Sequence, residues 1–318
     1  MRLKIIVFLL MLAITRIALA QDYPSKPVRL IDPYATGGST SVVSMILSQK
    51  FEALTKQPMV VEHRPGAGSN IGSDIVARAK PDGYTLLIGS SSLAINPHLY
   101  SKMPFDPIKD LSPIAILTLT PNVLAVHPSL PVNTLEELIS YVREHPGKLN
   151  YGSSGNGATN HMAMELLKAK AHINVIHVPF KGGGEAMAAL LGNHVQLMFN
   201  PASTLAPQAK SAKLRMIAVG ARKRIPNLDL PTIAESGVPG FESNVWFGLF
   251  APSGTPAPII EKLNNEINKI LKEDSVRATL NEAGLTPIGG TPDQLRNLLA
   301  EDFKTWGALV QEIGVRIK

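Results

Sequence analysis

Residues 31–41 read Ile-Asp-Pro-Tyr-Ala-Thr-Gly-Gly-Ser-Thr-Ser, and this stretch decides the fold. An apolar run over residues 28–31 precedes it, and apolar side chains at helical spacing follow it over residues 42–47, so the order is strand, turn, helix. Gly37 and Gly38 let the backbone turn tightly and approach a ligand closely. The helix that follows presents unpaired N–H groups and the positive end of its dipole. The segment predicts a site for a carboxylate or phosphate; a plain turn between strand and helix is the alternative.

A second segment repeats this arrangement. Residues 149–151 predict a strand, residues 152–159 read Gly-Ser-Ser-Gly-Asn-Gly-Ala-Thr, and a helix begins near Asn160. A third glycine-rich turn, over residues 181–184, again separates a strand from a helix. Open α/β sheets bind ligands beyond the carboxyl ends of their strands. The turns therefore predict one polar ligand site, together with Ser90 and Ser91 after the buried strand over 84–89.

Strands alternate with helices along the whole chain, which predicts an α/β protein with parallel sheets covered on both faces. Two such sets are joined by extended apolar runs over 114–126 and 245–251, which predict a two-strand hinge between two lobes. The helix after the second strand is expected to begin near Ser69 and to turn Ile71 inward. The predicted divisions are residues 1–20 (a signal peptide), 22–123 with 241–318 (lobe 1) and 124–240 (lobe 2).

The N-terminus has the features of an export signal. Arg2 and Lys4 precede an apolar run over residues 5–14, and Ala18-Leu19-Ala20 ends the segment. This pattern is typical of a secretory signal peptide, which predicts a periplasmic protein cleaved after Ala20. Removal of the segment lowers the formal charge of +6 by three, which weakens any argument for a nucleic-acid partner based on net charge.

Composition and spacing argue against several other functions. The chain has no cysteine and only 5% aromatic residues, which excludes thiolate chemistry and Cys-based metal sites and does not favour nucleic-acid binding. A hydrolase turn of the form Gly-x-Ser-x-Gly fails because the fifth residue from Gly152 is Asn156. The dinucleotide and Walker patterns are also absent from the sequence. We therefore expect a binding protein with no cofactor and no metal, rather than an enzyme.

Seven ordered motifs carry a resemblance to a known family. They lie at residues 33–38, 60–68, 81–86, 151–157, 178–182, 231–241 and 251–256, and they include Pro-Tyr-x-x-Gly-Gly, Arg-Pro-Gly-Ala-Gly and Pro-Asp-Gly-Tyr-Thr-Leu. Together they resemble the Bug family, the extracytoplasmic solute receptors of tripartite tricarboxylate transporters. The resemblance extends over essentially the whole chain after the signal segment.

The resemblance implies a type II periplasmic-binding-protein fold, in which two lobes close on a small carboxylated solute such as a di- or tricarboxylate, an aromatic acid or another organic acid. It implies a monomer that delivers solute to an inner-membrane permease. Family members often carry Asp in the positions of Ser41 and Asn200, and the neutral residues here favour an acid without an ammonium group. A receptor that feeds a signalling partner and, less favoured, a hydrolase are the alternatives.

The predicted ligand-binding residues come from the two facing turns and from nearby strand ends. His161 and Lys181 are included as a possible ligand or loop contact and as a possible counter-charge. The full set is Tyr34, Ala35, Thr36, Gly37, Gly38, Ser39, Thr40, Ser41, Ser90, Ser91, Ser153, Ser154, Gly155, Asn156, Gly157, Ala158, Thr159, His161, Lys181 and Asn200.

Overall fold

The computed structural model describes residues 23–225, 228–314 and 316, without the side chains of Ser203 and Ile313. The predicted signal peptide lies outside these residues. Within them the chain forms two α/β halves, which we call lobe 1 and lobe 2, and one long strand belongs to the sheets of both.

Lobe 1 begins with the segment that decides the fold. Parallel pairing joins β1 to β2 on one side and to β3 on the other. A later strand, β9 (Asn244–Pro252), then pairs with β3 in the antiparallel sense. The β3 strand is buried along its whole length, as its continuous apolar sequence predicts. The elements are β1 (Val28–Asp32), α1 (Ser39–Thr55), β2 (Met59–His63), α2 (Asn70–Ala77), β3 (Thr85–Ser90) and α3 (Ser92–Leu99).

A single strand, β4 (Leu111–Val126), connects the two halves. Up to Pro121 it pairs with β9. From Asn122 onward it pairs with two strands of lobe 2, β7 (Leu197–Pro201) and β8 (Arg215–Val219). This change of partner lies close to the lobe boundary predicted at residue 123. The two apolar runs around Pro121 are thus one strand, because the proline stands where the strand passes from one sheet to the other.

Lobe 2 repeats the parallel arrangement. The strand β5 pairs in parallel with β6 and β7, whereas β4 runs antiparallel to β7 and β8. Each parallel set therefore pairs with one antiparallel strand, β9 beside β3 in lobe 1 and β4 beside β7 in lobe 2. The elements are α4 (Leu135–Glu144), β5 (Asn150–Ser153), α5 (Thr159–Ala171), β6 (Ile176–Pro179), α6 (Gly183–Leu191), β7 (Leu197–Pro201), α7 (Ala202–Lys210) and β8 (Arg215–Val219).

The chain then returns to lobe 1 and completes its outer layer. Three helices follow, over residues 257–272, 274–282 and 292–313. A short strand that the sequence did not indicate, β10, pairs with β4 in the antiparallel sense. The elements are β9 (Asn244–Pro252), α8 (Ala257–Lys272), α9 (Asp274–Glu282), β10 (Thr286–Gly289) and α10 (Pro292–Ile313).

One expectation about helix orientation is wrong. Ile71 was predicted to face the core, but its side chain is 52% exposed. A short 3-10 turn over Ala67–Ser69 precedes α2, and Ser69 has a left-handed backbone with φ of 82°. This turn rotates the helix so that Gly72, Ser73 and Val76 face inward instead. Gly72 then packs against Pro33. This contact fixes α2 beneath the glycine turn over residues 31–41, which we call the first ligand turn.

Candidate functional site

A small cavity lies between the lobes, beside the point where β4 passes from one sheet to the other. Its volume is about 40 Å³. Nine predicted residues line it, and they come from both lobes. They are Tyr34, Gly38, Ser39, Thr40, Ser90, Ser154, Ala158, Thr159 and Asn200.

Three helices begin at this cavity. Helix α1 has Gly38 as its N-cap, α5 has Ala158, and α6 has Gly182, and none of these helix starts receives a hydrogen bond from a capping side chain. Helices α4 and α10 carry complete capping boxes, whereas α2, α3, α8 and α9 also begin without a capping side chain. The feature particular to the cavity is that three such helix starts meet there. Helix starts with unfilled N–H groups favour negative charge. The cavity is therefore built to receive an anion.

The described walls of the cavity combine polar and apolar groups and carry no formal charge. Among the described residues that line it, none has a charged side chain. The first turns of α1 and α5 contain no acidic residue, whereas α6 carries Glu185 in its first turn. The buried carboxyl group of Asp32 lies behind the start of α1, where it accepts from Ser44 Oγ at 3.4 Å. Hydroxyl and amide groups supply the remaining donors. Such a site holds an acid by fixed dipoles and neutral hydrogen bonds.

Tyr34 covers one side of the cavity and is fixed by lobe 1. Its hydroxyl lies 2.9 Å from Ser90 Oγ and 3.0 Å from Ser92 Oγ. Burial raises the pKa of this phenol, so the ring stays neutral and its O–H remains a hydrogen-bonding group. The expectation that Tyr34 and Ser90 contribute to one site agrees with this geometry.

Amide side chains complete the lobe 2 wall. Asn160 Nδ2 donates to Ser154 Oγ at 2.9 Å, and Asn160 Oδ1 accepts from the Ser154 N–H at 3.2 Å. The second ligand turn is therefore clamped by the first turn of its own helix. Asn200 Nδ2 donates to Thr204 Oγ1 at 2.7 Å, which orients the amide at the end of β7.

Asn122 is a residue that the sequence did not point to. It is fully buried on β4 at the change of sheet, and its Nδ2 donates to Ser243 Oγ at 2.9 Å. Within the described part of the chain its Oδ1 has no hydrogen-bond partner, so it offers a polar group to a ligand. Six lining residues were not among the predicted ligand-binding residues. Gly183 lies in the third glycine-rich turn that the sequence indicated, and the others carry no local signal: Asn122, Asn160, Pro201, Val245 and Phe247.

The lobes touch each other around the mouth of the cavity. Tyr100 of lobe 1 donates its O–H to the carbonyl of Asn156 at 3.1 Å, and the Ala35 N–H donates to the Lys181 carbonyl at 3.3 Å. Gly155, Asn156 and Lys181 lie in a second, outer hollow at this mouth. The ammonium of Lys181 is exposed, so the residue contacts the opposite lobe through its backbone rather than lining the inner cavity.

Eight predicted residues lie outside the cavity and have supporting contacts instead. Ser41 Oγ accepts from the Gly37 N–H, and Ser91 Oγ accepts from the Trp246 N–H. The backbone at Thr36 and Gly37 lies against Gly184 of the other lobe. These residues do not line the inner cavity, and their assignment as ligand-binding residues stays a prediction. The eight are Ala35, Thr36, Gly37, Ser41, Ser91, Ser153, Gly157 and His161.

His161 belongs to a buried aromatic stack behind the second turn. Its ring lies 4.1 Å from that of His177, which in turn lies 4.7 Å from the ring of Tyr151. His161 Nδ1 accepts from the Gly157 N–H at 3.2 Å, and His177 Nε2 lies 2.6 Å from Ser153 Oγ. The two imidazoles therefore hold both ends of the turn from outside the cavity.

Burial keeps both imidazoles neutral. It lowers the pKa of His161 to about 4 and that of His177 to about 3, with the charge of a neighbouring Lys168 or of the other imidazole adding to the effect. Both values lie below the roughly 6.5 of an unfolded chain. Above pH 6.5 both imidazoles are neutral in the folded and in the unfolded chain, so the free energy of unfolding has its full value. As the pH falls toward 4, the unfolded chain takes up protons that the folded chain does not, and the free energy of unfolding decreases.

We expect the free energy of unfolding to fall by up to about 1.4 kcal/mol per imidazole for each pH unit below 6.5. Urea unfolding at pH 7 and pH 5 measures this loss. In His177→Gln, whose amide can still bond Ser153, the loss should be clearly smaller. An equal loss in both proteins would show that the stack does not cause the acid sensitivity.

Metal chemistry finds little support in this region. His161 and Glu165 have a spacing that could suit a metal, but Glu165 accepts from Tyr151 and from Lys168. Over residues 23–225 and 228–314, no group of three His, Cys, Asp or Glu side chains is placed to hold a metal ion.

Comparison with known proteins identifies the kind of receptor. Residues 44–315 match the family described as the tripartite tricarboxylate transporter family receptor. The chain belongs to this family. It is therefore a solute-binding receptor rather than an enzyme, and the resemblance drawn from the seven motifs is confirmed.

Individual relatives match the receptor over nearly its full length. BugT of Bordetella pertussis is 34% identical, over 94% of this chain and 93% of BugT. The structure of R. palustris Rpa4515 with adipate is 34% identical with a TM-score of 0.90, over 93% of this chain and 99% of that chain. MatC from Rhodopseudomonas palustris with bound malate is 32% identical with a TM-score of 0.85, over 91% of this chain and 100% of that chain.

Proposed function

We propose that this receptor captures a small di- or tricarboxylate in the periplasm and holds one carboxylate between the starts of α1 and α5. The observation that carries the proposal is the meeting of three helix starts without capping side chains at one uncharged cavity between the lobes. The bound acids of the related structures, adipate and malate, support this ligand class.

The size and charge of the cavity narrow the ligand further. One buried water needs a cavity of roughly 10–15 Å³. The cavity between the lobes has a volume of about 40 Å³, so it suits a short acid. Asn200 lines the wall where family members often carry Asp, and no lining side chain of the described chain is anionic. An ammonium group would find no anionic partner among these side chains, which favours acids without an amine.

Binding and release follow from lobe movement in this proposal. The contacts of Tyr100 with Asn156 and of Ala35 with Lys181 join the lobes only when they are closed. A ligand that bridges α1 and α5 stabilises that form, and rotation about the crossing near Pro121 and Asn122 opens it. We propose that a monomer in the closed form is recognised by an inner-membrane permease, and that the chain is exported by a signal peptide cleaved after Ala20. No helix within the described residues is long and apolar enough to cross a membrane.

Thermal unfolding with a panel of solutes tests the ligand class. Succinate, malate, adipate and citrate are compared with glucose and with putrescine as uncharged and cationic controls. We expect one or more of the acids to stabilise the receptor by about 2.7 kcal/mol at one hundred times its Kd, seen as a rise in Tm of several degrees. Stabilisation by the sugar or the diamine alone would contradict the proposal.

A further inference from the structure

Asn122 is held firmly at the point where β4 passes from one sheet to the other. Its backbone N–H donates to the Ser243 carbonyl at 2.9 Å, and its carbonyl accepts from the Gly220 N–H at 2.7 Å. In the side chain, Nδ2 donates to Ser243 Oγ at 2.9 Å. The residue is fully buried, so these three bonds fix the position of the amide.

The Asn122 side chain lies on the cavity side of its strand. Every second residue of a strand points to the same face, and residues directly opposite each other on neighbouring strands share a face. Thr120 lies opposite Val245 on β9, and Asn122 lies opposite Pro201 on β7. Val245, Pro201 and Asn122 all line the cavity. The amide therefore faces the space proposed for the ligand.

One atom of this amide has no hydrogen-bond partner among the residues that the structure describes. That atom is Asn122 Oδ1, and it is buried. Buried polar atoms in folded proteins are nearly always paired, and leaving one unpaired costs free energy. A side-chain amide oxygen can only accept a hydrogen bond. A ligand that carries a donor at this position would therefore gain affinity.

The other polar groups of the cavity suit a carboxylate instead. The starts of α1, α5 and α6 present N–H groups without capping side chains. Ser154 Oγ accepts from Asn160 Nδ2 at 2.9 Å, and its hydroxyl also has a hydrogen to donate. An ionised carboxylate has only acceptor atoms, so it can pair with these donors but not with Asn122 Oδ1. An alcohol group on the same ligand supplies the missing donor.

We propose that Asn122 Oδ1 accepts a hydrogen bond from a hydroxyl group of the ligand, so that the receptor selects hydroxy acids over the same acids without the hydroxyl. Asn122 is thus a specificity-determining residue. An ammonium group could also donate, but no described residue that lines the cavity is anionic, and burying a charge without a partner is costly. This inference rests on the proposed capture of a small carboxylate in the cavity.

Three four-carbon acids that differ at a single position test the inference. Succinate carries a hydrogen atom there, malate a hydroxyl and aspartate an ammonium group. We expect calorimetry at pH 7.5 to give one enantiomer of malate a Kd about 10- to 100-fold below that of succinate, because only malate pairs the buried acceptor. Aspartate should bind no more tightly than succinate. Citrate and tricarballylate are the corresponding pair for a receptor that prefers three carboxylates.

Two variants separate the acceptor from the bond that holds it. Asn122→Leu removes Oδ1 at similar volume, so the preference for the hydroxy acid should fall to near one. Ser243→Ala removes the partner of Nδ2 but keeps Oδ1, so the preference should stay close to that of the wild type. A general loss of stability or closure affects both acids of a pair alike, and it therefore cancels in the ratio of their Kd values.

The results distinguish failure of this inference from failure of the proposed function. The inference is wrong if neither pair favours the hydroxy acid in the wild type, if N122L leaves the preference unchanged, or if aspartate binds more tightly than malate. In each of these cases the proposed function stands as long as an organic acid binds. If none of the acids, adipate included, binds the wild type, the proposed function itself is overturned.

Discussion

Replacing Ala158 by aspartate is expected to stabilise the free receptor and to abolish the binding of organic acids. Ala158 is the N-cap of α5, lines the cavity and supplies no capping bond. An aspartate there accepts from the first N–H groups of the helix, which is worth about 1 kcal/mol. The same carboxylate occupies the position proposed for the ligand. Like charges about 4 Å apart repel by about 4 kcal/mol at an effective dielectric constant of 20, which corresponds to a loss of about 1,000-fold in affinity.

The substitution is expected to raise the stability of the free receptor and to lower its affinity for acids, and this combination of opposite changes identifies the start of α5 as the binding position. Urea unfolding measures the first, and calorimetry with the acids that stabilise the wild type measures the second. Ala158→Ser is the matched control, because serine also caps the helix but brings no charge, and most of the affinity should remain. If A158D binds acids as tightly as A158S does, the start of α5 is not where the carboxylate lies.

Replacing Gly68 by alanine is expected to weaken ligand binding by about 10- to 100-fold through an effect on closure alone. Gly68 belongs to lobe 1 and lies outside the inner cavity. A Cβ atom there would lie 1.9 Å from the carbonyl oxygen of Asn156 in lobe 2. Relieving that overlap requires the lobes to stay apart or to shift, and overpacking of this kind costs roughly 1–3 kcal/mol. The open receptor avoids the contact.

The backbone conformation of Gly68 calls for a control of its own. Its φ of +61° is costly for alanine by itself. Gly314 has nearly the same φ, +67°, and a Cβ there would meet nothing within 4 Å. Gly314→Ala should therefore lose similar stability but keep its affinity. Small-angle scattering with and without the acid follows closure directly. A fully compact, tightly binding G68A would show that the contact with Asn156 is absent from the loaded form.

Local sequence was sufficient to predict both ligand turns and most of the framework. The turns over 31–41 and 152–159 combine an apolar strand, glycines and a helix start, and all three signals are short-range. The buried β3 strand was predicted for the same reason and is present. Thr134 and Glu137 have the spacing of a capping box, which is also a short-range signal, and the structure contains that capping box. Ile71 was placed on the wrong face because three consecutive residues with positive φ, Ala67, Gly68 and Ser69, alter where the next helix begins.

The residues that the sequence did not reveal are those whose role depends on distant partners. Asn122 and Phe247 reach the cavity only because β4 and β9 pair beside it. His161 stands at a plausible ligand position along its helix, yet stacking on His177 directs it to the back of the turn. Neither contact has a local signature, since the partners are separated by at least 16 residues in the chain.

By itself the sequence determined the pieces: alternating strands and helices, two glycine turns that end in helices without capping side chains, and the absence of cysteine chemistry. These features depend on backbone preferences and side-chain spacing within a few residues. It took the tertiary structure to bring the starts of α1, α5 and α6 to one cavity and to stack His161 on His177 behind the second turn. Burial and the meeting of two lobes arise from long-range packing, and this packing keeps both imidazoles neutral by lowering their pKa values.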